Sequence, residues 1–141
     1  MTAKETLNEI RHMGLEIDAL QEQIVLLRQE AEGLKSMEIT DMPRSGNCRD
    51  MSDLVAEVAD LQRTRYDLML QHIKKRERAL FIIACMEKSE YRAVLLERYV
   101  LCKTWDDVAK KMCCDVRTVY RIHREALKAF HTAGRKISDF A

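Results

Sequence analysis

Arg117, Thr118, Tyr120, Arg121, Arg124 and Lys128 crowd one short stretch near the end of the sequence, with Lys110 and Lys111 just before them. Between them run Val116, Val119, Ile122, Ala126 and Leu127, at the spacing of a helix with one apolar side. A helix that is apolar inside and basic outside can pack on its own domain and still face a polyanion. Arginine can pair in bidentate fashion with guanine O6 and N7. Arg117 and Arg121, in the first turns, are therefore the expected base readers. Thr118 and Tyr120 can serve base or phosphate. Arg124, Lys128, Lys110 and Lys111 are expected on phosphates, which position a protein without reading sequence.

These side chains need a scaffold. Thr104 can cap a helix, and Asp107 three residues on fits a capping box. At that helix N-terminus Thr104 is also expected to offer backbone N–H groups to a phosphate. Trp105–Met112 reads as a short helix with Val108, Ala109 and Met112 on one face, and Trp105 as a packing anchor. Cys113-Cys114-Asp115 interrupts it, and Asp115 can cap the next helix. The small Ala109 lets the two helices cross closely. This is a helix-turn-helix whose second helix suits the major groove of DNA. Tyr91–Leu101, preceded by Ser89 as cap, reads as a support helix. In it Val94, Leu95 and Leu101 are expected to face the motif, and Tyr99 to lie in the core with its hydroxyl at the edge. His123 and His131, eight residues apart, are expected at the surface or on phosphate.

Net charge is only +1 over 141 residues, but it is unevenly placed. Residues 1–102 carry 15 basic against 18 acidic side chains, and residues 103–136 carry nine against four. The positive charge therefore coincides with the helix-turn-helix.

Upstream the chain reads as long helices. Ile10, Met13, Ile17, Leu20, Ile24, Leu27, Ala31 and Leu34 alternate spacings of three and four, a heptad seam. Its partner is either the same helix of a second copy or the next helix of this chain. Pro43 and Ser45-Gly46-Asn47 break the pattern. Met37, Ile39 and Met42 in that loop are expected to pack on the flanking helices or to form a contact surface for a protein partner, and Arg44 and Arg49 are weak candidates for phosphate. A second helix is expected from Asp50 or Ser52 towards Glu87, with Leu54, Val58, Leu61 and Leu68 on its seam. Phe81, Ile82 and Ile83 are expected to meet the C-terminal domain. The charge run Lys74–Arg78 reads as a solvated face or a supplementary DNA-backbone contact. The organisation predicted is thus all-α. Helices at about 5–35 and 51–87, within residues 1–88, are joined by a loop over 36–50. A DNA-binding domain follows over 89–133, and then a frayed tail over 134–141.

Other chemistry finds no support in the sequence. There is no Gly-rich phosphate loop, no arguable nucleophile–base arrangement and no metal-ligand spacing. No enzyme, cofactor or metal is expected. The five cysteines make no C-x-x-C pair and read as reduced thiols of a cytoplasmic protein. No apolar run approaches a membrane span, and the first residues lack the apolar core of a signal peptide.

The segment Arg92-x-Val94-Leu95-x-x-Arg98-Tyr99, then Thr104, Val108-Ala109, Thr118-Val119 and Ala126-Leu127, resembles region 4 of bacterial sigma-70-type factors. Trp105, Arg121-Ile122-His123 and the upstream Asp41–Asn47 run are similar to the sigma-like late-gene regulators of phages and prophages of Gram-positive bacteria, the RinA and ArpU type. Where many helix-turn-helix motifs have Gly at the turn, this chain has Cys113. The resemblance implies sequence-specific binding to promoter DNA in the cytoplasm of a bacterial host, and contact with RNA polymerase. Only Tyr66 and Phe81 are aromatic in residues 1–88, so the resemblance does not extend to a complete promoter-opening sigma factor. A homodimer through the N-terminal helices is one mode of presentation. Two alternatives stand beside this reading. One is a DNA-packaging protein of the small terminase kind, which would form rings. The other is a coiled-coil adaptor.

Overall fold

The computed structural model describes residues 2–37 and 50–140, and the side chains of 2–34 and 50–139. Among them the fold is all-α, with no strand. The elements are α1 (Ala3–Met37), α2 (Met51–Ala84), α3 (Ser89–Leu95), α4 (Trp105–Lys111) and α5 (Val116–Phe140). A π-helical turn over Leu96–Val100 continues α3. The loop predicted over 36–50, with Pro43, Arg44 and Arg49, lies almost wholly outside the described residues. No helix among the described residues is long and apolar enough to cross a membrane.

Contacts divide the chain elsewhere than at residue 88. One compact unit comprises residues 1–15 and 71–141, the other residues 16–70. In the second unit Ile17, Ile24, Leu27 and Leu54 are buried, and Leu20, Ala31, Leu34, Val58, Leu61 and Leu68 are half-buried. A lone helix leaves any side chain open on its outer side. Ile24 at 2% exposure is therefore covered by the chain itself. The middle of the heptad seam is thus covered within one molecule, as the fold-back alternative requires.

The first unit holds the main core. Leu7 and Ile10 of α1, Ala79 and Ile83 of α2, Leu95 of α3, Tyr99 of the π-helical turn and Ala126 and Phe130 of α5 form one cluster. Local sequence explains how α1 begins. The Thr2 amide donates to Glu5 Oε2 at 2.8 Å, and the Glu5 amide to Thr2 Oγ1 at 3.2 Å, a reciprocal capping box. Lys75 of α2 forms an ion pair with Glu9 of α1.

Several positions differ from what the sequence predicts. Phe81 is 60% exposed, whereas Ile83 is buried and Ile82 packs against the core. Lys88, not Ser89, holds the N-cap position of α3, and it makes no side-chain cap bond. Leu101 is 55% exposed rather than turned to the motif. It comes directly after the π-helical turn, and its amide reaches back five residues to the Leu96 carbonyl at 2.9 Å. The extra residue in that turn rotates Leu101 away from the α-helical phase. The tail expected to fray is instead the last part of α5, which runs to Phe140. Gly134 lies where an added Cβ would stand 3.7 Å from Ile82 Cδ1.

Candidate nucleic-acid interface

The helix-turn-helix is built from α4 and α5 around its own small core. Val108, Ala109 and Val119 are buried, and Trp105, Met112, Cys114 and Val116 pack on them. Thr104 caps α4, its Oγ1 accepting from the Asp107 amide at 3.2 Å. That amide is therefore occupied by the cap.

The turn between the helices has defined hydrogen bonding. After Met112, Cys113 adopts φ 55°, in the left-handed region. The Cys113 amide donates to the Lys110 carbonyl at 3.2 Å and the Cys114 amide to the Ala109 carbonyl at 3.1 Å. These are the two bonds of a Schellman motif, which ordinarily places Gly at the left-handed position. The side chain of Cys113 is exposed, so the protein tolerates it there on backbone cost alone.

On α5 the inward face consists of Val119, Ile122, His123, Ala126 and Phe130, all buried. The opposite face carries Arg117, Arg121, Arg124 and Lys128, all exposed. Their spacing of four, three and four residues keeps them on one stripe. His131 and Arg135, also exposed, continue it with spacings of three and four. From Arg117 to Arg135 the stripe is about 27 Å long. Reading residues 134–141 as a tail would end the stripe at His131 and leave out Arg135.

The predicted site residues do not all share this face. Tyr120 is 45% exposed and packs edge-on against Trp105, ring centroids 5.2 Å apart. Thr118 is half-buried on the flank of α5. Lys110 and Thr104 are exposed. Lys111 is committed elsewhere: its Nζ lies 2.6 Å from Glu97 Oε1. Lys103 Nζ lies 2.7 Å from the other oxygen of the same carboxylate. Glu97 is 8% exposed, and these two ammonium groups hold its carboxyl below the usual carboxylate range against the opposing effect of burial. The bridge to Lys111 fastens the π-helical turn to the end of α4, and the bridge to Lys103 fastens it to the connection before α4. Arg121 has a weaker neighbour, Glu125 Oε1 at 3.7 Å, with both side chains exposed by more than 40%. Glu125 also accepts a 2.7 Å bond from the Tyr91 hydroxyl.

His123 is not a surface residue. It is 8% exposed, and its Nε2 shares a 2.5 Å hydrogen bond with the hydroxyl of Tyr99, itself 1% exposed. The indole of Trp105 packs on its ring at 4.7 Å between centroids. Burial first, then the nearby charges of Lys4 and Arg98, push its pKa down to about 4. The pair ties the π-helical turn to α5 and so orients the basic helix. Arg98 stacks over Trp105, its Cζ 4.4 Å from the ring centre, and donates to the Lys103 carbonyl at 3.0 Å. Nothing in the sequence marks Glu97 as a positioning group, and Arg98 and His123 stand out only within the quoted resemblance, which does not give their partners.

Comparison with known proteins leaves this geometry to stand by itself: no family model, no curated protein and no solved structure matches the chain.

Proposed function

We propose that this protein is a sequence-specific DNA-binding transcription regulator that docks α5 in the major groove. The observation that carries the reading is the division of α5. One side is sealed into the core, and the other presents four exposed cations, Arg117, Arg121, Arg124 and Lys128, at groove-compatible spacing. Arg117 and Arg121 lie in its first two turns, where base edges are read. Arg124 and Lys128 suit phosphates, and Lys110 stands exposed on α4 to do the same. Lys111 is left out of this set because Glu97 holds it.

The likeness of the Tyr91–His131 segment to sigma region 4 supports a role at promoters. With it come activation of phage late genes, contact with RNA polymerase and a place in the bacterial cytoplasm. Selection from a random duplex pool at moderate salt, with the recovered sequences read out, tests the proposal. A defined motif is expected. Recovery without any preferred sequence would favour the packaging reading. No recovery would remove α5 as a DNA reader.

A further inference from the structure

A groove of about 760 Å³ opens beside the first turns of α5, and its far wall belongs to the other end of the chain. Lys4 and Asn8 of α1 line it together with Arg98, Trp105, Arg117 and Arg124, among others. No carboxylate lines it. Among the described residues, no carboxylate pairs with Lys4, Arg11, Arg98, Arg117 or Arg124. Two of these guanidiniums are half-buried, Arg98 and Arg11, and the Nε of each is buried without a hydrogen-bond partner. Like charges held together without a counterion, in part out of water, repel one another more strongly than they would in free solution. Burial and the neighbouring Arg11 accordingly lower the pKa of Arg98. A bound anion would relieve this repulsion and satisfy the guanidinium donors.

We infer that this groove seats a phosphate of the DNA backbone, and that Lys4, on the first turn of α1, is a second DNA-contacting element beside Arg98 and Arg124. The inference rests on the proposal that α5 enters DNA. A duplex with α5 in its major groove runs its sugar–phosphate strands along the flanks of that helix, which is where the groove lies. Arg98 is held on the Trp105 ring and the Lys103 carbonyl, and so meets the strand with little loss of freedom. Lys4 is exposed and flexible, a point charge that follows the strand.

The chain has one tryptophan, and it lines this groove. Its fluorescence therefore reports occupancy directly. The test titrates the full chain with a duplex at 50 and 200 mM salt, for the unmodified protein, Lys4→Ala and Arg124→Ala. Each lost phosphate contact lowers the salt slope by about one, so each variant should lose about three- to four-fold less affinity than the unmodified protein across that salt range. Trp105 emission should change on binding in the unmodified protein. If Arg124→Ala lowers the slope and Lys4→Ala does not, the second element is refuted while the reading of α5 stands. If no form binds the duplex, both fall. If inorganic phosphate alone saturates the Trp105 signal and Lys4→Ala leaves the DNA salt slope unchanged, the groove is a free-anion site and the assignment to DNA is overturned.

Discussion

Lowering the pH from 6.5 towards 4 should loosen this protein through His123. The ring is neutral in the folded state because it is buried, packed on Trp105 and close to Lys4 and Arg98, and its pKa falls from the usual 6.5 to about 4. Above pH 6.5 the ring is neutral in both folded and unfolded chains, and its contribution to stability is complete. As pH falls, the unfolded chain takes up the proton first, so stability drops until the folded ring is also protonated near pH 4. At 1.36 kcal/mol per pKa unit, the fall from 6.5 to about 4 amounts to about 3 kcal/mol. The steepest loss, about 1.2 kcal/mol per pH unit, lies between the two values. Urea unfolding followed by circular dichroism from pH 4 to 7.5, on the unmodified protein and His123→Gln, measures it. Glutamine can keep the bond to the Tyr99 hydroxyl and does not titrate. The gap between the two stability curves should shrink by about 3 kcal/mol from pH 7 to pH 4. Parallel curves would mean that His123 titrates normally, and the burial argument would be refuted.

Three further outcomes are expected. Glu97→Ala should cost about 1–3 kcal/mol of stability, towards the lower end because the two lysines it leaves can turn into water. The folded carboxyl has a lowered pKa, so its contribution is full above the unfolded value and is lost as pH falls through the folded one. The acid limb of Glu97→Gln should be flatter than that of the unmodified protein, and an equal limb would show that the bridges to Lys103 and Lys111 do not hold. Cys113→Gly should raise stability by about 0.5–1 kcal/mol by relieving the left-handed backbone at φ 55°. A lower melting temperature would show that the thiol makes a contact the turn needs. Lys128→Ala should weaken duplex binding equally on all sequences and lower the salt slope by about one; an unaltered slope would remove it from the phosphate contacts.

The sequence makes some of this structure readable and hides the rest for physical reasons. Val108, Ala109, Val119, Ile122 and Ala126 are apolar and locally spaced, so periodicity alone finds the helix-turn-helix core that the structure buries. The Ile10–Leu34 seam is equally visible, but a heptad pattern does not say whether its partner is this chain or a second copy. For the middle of the seam the burial of Ile24 within one molecule answers it. Hidden features are of two kinds. A π-helical turn inserts one residue, and apolar spacing over five residues does not resolve it, so periodicity points Leu101 inward although it lies outward. Buried polar groups such as Glu97 and His123 look like surface residues until their partners are placed. The partners are as far as 24 residues away for Tyr99 and His123. Lys4 meets the face of α5 only through the fold. The T-x-x-E start of α1 is legible as a capping box, and it begins the helix two residues before the point expected from the apolar seam.

On the proposed function, the exposed face of α5 reads bases through its first turns. Equilibrium affinity of Arg121→Ala, measured at one salt concentration on the selected site and on a scrambled duplex, tests it most directly. A loss of about 1–3 kcal/mol is expected on the selected site beyond any loss on the scrambled one, with relaxed preference at one base pair. An equal loss on both duplexes would contradict it, leaving Arg121 as a phosphate contact and α5 as a helix that holds DNA without reading it.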